Sequence, residues 1–269
     1  MRVVTKAIDV AKLHGIAVGL AVGLLGGMVI QPVQALPVPS PIAHAAEWVR
    51  QGADKEKRGD LAGAIAAYTQ AIQINPQHSE TYLSRGLALY TYGNLRRAFA
   101  DFNQALKLNP NHAKAFYHRG EVRSEMGDLG GALTDLNRAI QLQPNYPEAF
   151  NHRGIVRAEM GDMNAAIADI NQAVKLRPTY TDALYNRGKA RTERGDTTAA
   201  IQDYSQAIRL NAQLAEAYGS RGLIYAQTGD KSAALRDLNT AAQLFQRQGN
   251  PEHYQQTLAY IQQIQASNP

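Results

Sequence analysis

Apolar and small residues recur along most of this chain at helical spacing. Tyr82, Gly86 and Leu89 stand four and three residues apart, and so do Ala98, Phe102 and Ala105. That spacing puts each set on one face of a helix. Between the sets lie Gly93 and Asn94, a pair suited to closing one helix in the left-handed conformation and capping the next. Pro110 ends the second stretch. The pattern predicts a hairpin of two helices.

The hairpin repeats. Gly59, Gly93, Gly127, Gly161, Gly195 and Gly229 are separated by 34 residues throughout, and all but one precede an aspartate, Asn94 being the exception. A fixed period of this length marks stacked supersecondary units. With that glycine at position fifteen, six units span 45–78, 79–112, 113–146, 147–180, 181–214 and 215–248 without insertion. One hairpin cannot bury its own apolar face, so neighbours must stack. Beyond them, 251–266 carries Tyr254, Leu258 and Ile261 on one helical face among glutamines. A terminal capping helix needs this division, apolar toward the last repeat and polar toward water.

The ladders resemble the tetratricopeptide-repeat family over 45–248. Signature positions hold Trp48, Gly52, Ala64, Tyr68, Ala71 and Pro76, then Tyr82, Gly86, Leu89, Ala98, Phe102, Ala105 and Pro110. They continue through Phe116, Gly120, Ala132, Leu136, Ala139 and Pro144, and through Phe150, Gly154, Ala166, Ile170, Ala173 and Pro178. The last two units read Leu184, Gly188, Ala200, Tyr204 and Ala207, then Tyr218, Gly222, Ala234, Leu238 and Ala241. The resemblance implies an all-α, right-handed superhelical solenoid of six helix-turn-helix units plus the capping helix. Small residues recur where helices approach closely, and every signature residue reads as packing.

Two departures stand out. Position seven, usually apolar in the family, holds Arg85, Arg119, Arg153, Arg187 and Arg221, each followed sixteen residues later by Asp101, Asp135, Asp169, Asp203 or Asp237. The first unit has Gln51 and Ala67 instead. Joint loss of both partners predicts that Arg and Asp pair across the two helices of one hairpin. Position eleven adds Lys55, Arg123, Arg157 and Arg191, interleaved with Glu121, Glu125, Glu159 and Glu193, which reads as a mixed, solvated face.

The first residues read as an address. Met1 to His14 is basic, Gly15 to Ile30 is an unbroken apolar and glycine run, and Val33-Gln34-Ala35 supplies small residues for a signal peptidase. The expectation is a signal peptide over 1–35 and a proline-rich linker over 36–44, with export to a periplasm or thylakoid lumen. Ala43-His44-Ala45 offers a second cleavage triplet. The competing reading is a retained membrane anchor, because Gly15, Gly19, Gly23 and Gly27 share one helix face.

Composition removes several chemistries. There is no cysteine, hence no disulfide or thiolate site. The net charge of +5, two units of it in the segment 1–35, is too mild for a nucleic-acid partner. No nucleotide-binding loop, zinc-protease pair or nucleophile elbow is present. His118 and His152 share a position in adjacent units with Glu121 nearby, and read as two exposed groove histidines rather than metal ligands. The chain is expected to be no enzyme and to need no cofactor or metal.

The family binds extended peptides or partner helices along the concave face lined by its first helices. Its groove positions correspond here to Leu83, Leu87, Tyr90, Tyr117, His118, Asn151, His152, Ile155, Tyr185, Asn186 and Lys189, with Glu80, Glu148, Asp182 and Glu216 at the rim. Tyrosine and asparagine suit gripping a chain, and Tyr117, Asn151 and Tyr185 at position five are expected as exposed anchors. The terminal-carboxylate clamp of chaperone cofactors is missing, with Val49, Ala53 and Asp182 at its positions. The repeat style and Leu244-Phe245-Gln246 look like tetratricopeptide proteins of cyanobacterial type. The resemblance implies an exported scaffold or adaptor for a protein or peptide partner; the alternative is a membrane-tethered assembly factor for a membrane complex.

Overall fold

The computed structural model describes residues 41–266. The expected signal segment and residues 36–40 of the linker lie outside them. Thirteen helices follow in six antiparallel pairs and a last helix: α1 (Pro41–Lys57) with α2 (Leu61–Ile74), α3 (Ser79–Thr91) with α4 (Leu95–Leu108), α5 (Ala113–Glu125) with α6 (Leu129–Leu142), α7 (Pro147–Glu159) with α8 (Met163–Leu176), α9 (Thr181–Arg194) with α10 (Thr197–Leu210), α11 (Ala215–Gln227) with α12 (Lys231–Arg247), and α13 (Pro251–Ala266). The first helix begins at Pro41, four residues ahead of the expected boundary. Proline suits a first helical turn because its missing N–H has no intrahelical partner there.

Each hairpin turn follows from two residues. The glycines at position fifteen take φ from 78° at Gly59 to 89° at Gly195, a region closed to most side chains. The next residue caps the second helix: Asp128 accepts from the Gly131 N–H at 2.9 Å and Asp162 from Ala165 at 3.0 Å. Asp196 departs from the series, because Arg194 takes its carboxylate and no side-chain cap forms.

Packing within a hairpin depends on the glycine at position eight. A Cβ on Gly154 would stand 2.5 Å from Ile170 Cγ1, and one on Gly86 would stand 2.6 Å from Phe102 Cε1. The absent side chain lets the two helices close over the aromatic or aliphatic residue of the second. Phe102, Leu136, Ile170, Tyr204 and Leu238 are buried in this way.

Every second helix packs against the next unit's first helix, and successive first helices touch directly, α3 with α5, α5 with α7, α7 with α9 and α9 with α11. No two successive second helices pack as closely among the described residues. The stack is therefore narrower on the first-helix side, which makes that side concave. At the far end α13 lies on α12, where Ile261 joins Leu238 and Ala242 and is covered by Leu258 and Tyr254. Among the described residues no helix is long and apolar enough to cross a membrane.

Candidate partner-binding groove

The arginines of position seven hold the floor in place. Arg119 Nε and Nη2 donate to the two oxygens of Asp135 at 2.8 and 2.6 Å, and Nη1 reaches Asn103 of the preceding unit at 2.7 Å. Arg85, Arg153, Arg187 and Arg221 repeat the arrangement, their third contact going to Thr69, Asn137, Asn171 and Ser205. Each guanidinium thus joins three helices, its own pair and the previous second helix. The hydrogen bonds to Asp101 and Asp237 push the Arg85 and Arg221 pKa values further up.

Position eleven differs from the solvated face expected of it. Arg123, Arg157 and Arg191 turn inward as second cations on Asp135, Asp169 and Asp203, at 3.1, 2.7 and 2.7 Å. A buried carboxylate is better satisfied by two guanidinium groups than one.

In the middle of the array the expected groove residues form a packed cluster. Glu121 accepts from the Tyr117 hydroxyl at 2.7 Å, holds His118 Nδ1 at 2.7 Å and lies 4.0 Å from His152 Nδ1. Tyr117 rests on Tyr146 with ring centres 5.0 Å apart, and its edge meets His118 and His152. Burial raises the Tyr117 pKa, with Glu121 adding to the effect. Burial also lowers that of His152, whose Nε2 is enclosed without a partner. The two histidines are thus half-buried rather than exposed. No group of three or more His, Cys, Asp or Glu among the described residues is disposed to hold a metal ion.

Position five proves to be a packing position as much as a surface one. Leu83, 5% exposed, belongs to the core with Leu89 and Phe102, and Leu87 and Tyr90 lie against it. Asn151, 6% exposed, accepts from the Asn186 amide at 3.2 Å. Tyr185 is partly buried against Tyr204, ring centres 5.8 Å apart. The position is covered from within its own unit at Leu83, Tyr117 and Tyr185, and from the next unit at Asn151.

Open surface lies further along. Ile155, Ala158, Glu159, Ile170, Asn186, Lys189, Ala190 and Glu193 line a cavity of about 140 Å³ between α7 and α9. A second, about 230 Å³, shares Lys189 and Glu193 with it and adds Thr192, Tyr204, Ser220 and Leu223. A third, about 190 Å³, shares Ser220 and Leu223 and extends past Tyr185 and Glu216 to His253, Gln256, Thr257 and Tyr260 of α13. The three adjoin through these shared residues and follow one another along the first helices as a trough. The capping helix forms its end wall, a role no sequence signal marked, because the polar face of 251–266 reads equally well as solvated.

Comparison with known proteins agrees with the repeat geometry. Family models described as TPR repeat match residues 57–93, 124–161 and 188–229, and models described as tetratricopeptide repeat match 79–112, 147–180 and 215–248. No curated protein sequence matches the chain. Among solved structures, MamA is 25% identical with TM-score 0.55, covering 64% of this chain and 94% of its own. The type IV pilus biogenesis factor PilW is 19% identical with TM-score 0.72, over 80% of this chain and 98% of its own. YrrB, a tetratricopeptide protein with an unusual peptide-binding site, is 23% identical with TM-score 0.55, over 72% and 97%. With six hairpins in register and repeat models matching most of them, the chain belongs to the tetratricopeptide-repeat family.

Proposed function

We propose that this protein is an exported scaffold that holds an extended segment of a partner protein, and that its working surface is the C-terminal half of the concave face. The carrying observation is the trough of three adjoining cavities from Ile155 to Tyr260, walled by first helices and closed by α13. Apolar surface from Ile155, Ala158 and Leu223 stands there beside the Asn186 amide and the Ser220 hydroxyl, chemistry that grips side chains and backbone together. The peptide-binding site described for YrrB, and PilW being a pilus biogenesis factor, fit a binding rather than a catalytic part. Of the residues expected in the groove, Ile155, Tyr185, Asn186 and Lys189 would meet the partner. Leu83, Leu87, Tyr90, Tyr117, His118, Asn151 and His152 would support the floor.

Export rests on the basic start, apolar run and small-residue triplet before Leu36. A mature N-terminus at Leu36 supports the reading, and an intact Met1 in the envelope fraction favours a tethered assembly factor instead. The groove is tested by placing a photoreactive side chain at Ala158, in the trough, and separately at Ala168, exposed on α8. The partner cross-links from Ala158 and not from Ala168; the reverse result overturns the assignment.

A further inference from the structure

The trough is acidic on a protein that is basic overall. Its charged lining residues are Glu159, Glu193 and Glu216 against the single ammonium of Lys189, whereas the whole chain carries +5. Upstream on the same wall stands Glu125, which accepts from the Tyr90 hydroxyl. Glu159, Glu193 and Glu216 have no ion-pair partner among the described residues, in a molecule whose internal aspartates are nearly all paired with arginine.

The position of Glu125, Glu159 and Glu193 works against the fold. Glu125 and Glu159 are the last residues of α5 and α7, and Glu193 is next to last in α9. A helix C-terminus carries partial negative charge, so a carboxylate there is disfavoured. Three consecutive units accept that cost at one position. Glu159 and Glu193 have no ion-pair partner among the described residues, and Lys189 is the one ammonium in the cavity they share, so a cationic group on a partner would offset the cost.

The cavity between them shows what fits. Glu159 and Glu193 stand at its rim, while Ile155, Ala158, Ile170 and Ala190 line it with aliphatic surface and Asn186 offers an amide. An apolar slot ending in two carboxylates matches a side chain with an aliphatic stem and a cationic head. Stacked helices lie about 10 Å apart, and an extended polyproline-type chain advances about 3.1 Å per residue. Every third residue of such a chain therefore meets the next unit.

We propose that the trough binds an extended, positively charged polypeptide segment, with lysine or arginine heads at Glu159 and Glu193 and their stems over Ile155, Ala158 and Ala190. This rests on the groove reading above and specifies the partner's charge. The probe is a blocked peptide of about fifteen residues built from lysine–proline–threonine repeats, with its glutamate and serine counterparts, read by fluorescence anisotropy. The lysine peptide binds, the glutamate peptide does not, and added salt weakens binding. Glu159→Gln with Glu193→Gln weakens it by at least about tenfold, while the melting temperature holds or rises because carboxylates have left helix C-termini. Glu252→Gln, exposed on α13, changes neither. If lysine and glutamate peptides bind alike, if none binds, or if the double variant binds as the parent does, the proposal is overturned. Cross-linking of the cellular partner from Ala158 in those cases leaves the groove standing and removes only the charge assignment; failure of both removes both.

Discussion

Arg153 and Asp169 meet in a two-pronged ion pair, Nε and Nη2 of the guanidinium lying 2.8 and 2.6 Å from the two carboxylate oxygens, across the helices of one hairpin. Asp169 is almost wholly buried and also receives Arg157 at 2.7 Å. Removing the acid strands two cations, whereas removing Arg153 leaves the acid one partner. Asp169→Leu should therefore cost more than Arg153→Leu, about 3–5 kcal/mol against less than that, and the double change less than their sum. In the second unit position eleven is Leu89, so Arg85→Leu and Asp101→Leu should cost similar amounts. Chemical denaturation of the two cycles checks this. Equal asymmetry in both, or strict additivity, contradicts it.

Close helix approach makes a second prediction. Gly154→Ala drives a methyl group to 2.5 Å from Ile170 and 3.0 Å from the Ala166 carbonyl, and should cost about 1–3 kcal/mol. Gly130→Ala, in α6 with nothing within 4 Å, should be neutral or stabilise by up to about 1 kcal/mol. Thermal melts of the two variants should move in opposite directions or differ clearly in size. Equal losses would show that the glycine at position eight is not a contact residue.

The histidine under the groove floor makes stability pH-dependent. Burial holds the His152 pKa below its usual value of 6.5; Glu121, Glu159 and Glu125 oppose the shift, and His118 adds to it. The folded state then binds fewer protons than the unfolded one, so this contribution is complete above about pH 6.5 and is lost as pH falls toward the folded-state pKa. His152→Gln should flatten the melting temperature between about pH 7 and pH 5 relative to the parent. An unchanged slope would show that the ring is solvated.

Deleting α13 tests the end of the stack. Without it Leu238, Ala242 and Phe245 lose their cover and the third cavity loses a wall. The chain ending at Asn250 should melt lower and self-associate by light scattering. A monomer with the parent's melting temperature contradicts the capping role.

The repeat architecture was legible because its information is local and periodic. Gly59 and its five equivalents need only a 34-residue ruler, and the joint absence of Arg and Asp at Gln51 and Ala67 was enough to pair the rest. Other features depend on which residues distant in sequence the packing brings beside a side chain. Arg157 looked solvated because Glu159 stands beside it, yet Asp169 draws it inward. Tyr117 looked like an exposed anchor, and only Tyr146 at the end of its own unit shows why it is covered. Asn151 is hidden by its contact with Asn186, one unit later. The last of the three cavities sits where Gly219 at position five leaves space that Leu83, Tyr117, Asn151 and Tyr185 fill upstream.

The central claim is that the partner lies in this trough. The direct measurement is the affinity of the captured partner for four single variants, Ile155→Arg and Leu223→Arg in the trough, and Ala100→Arg and Ala168→Arg, exposed on α4 and α8. Isothermal titration should show the first two weakened by at least about tenfold, equivalent to about 1.4 kcal/mol, with the last two unchanged and all four melting cooperatively. Loss of affinity in Ala100→Arg and Ala168→Arg, with Ile155→Arg and Leu223→Arg binding normally, would place the working surface on the second helices and contradict the account.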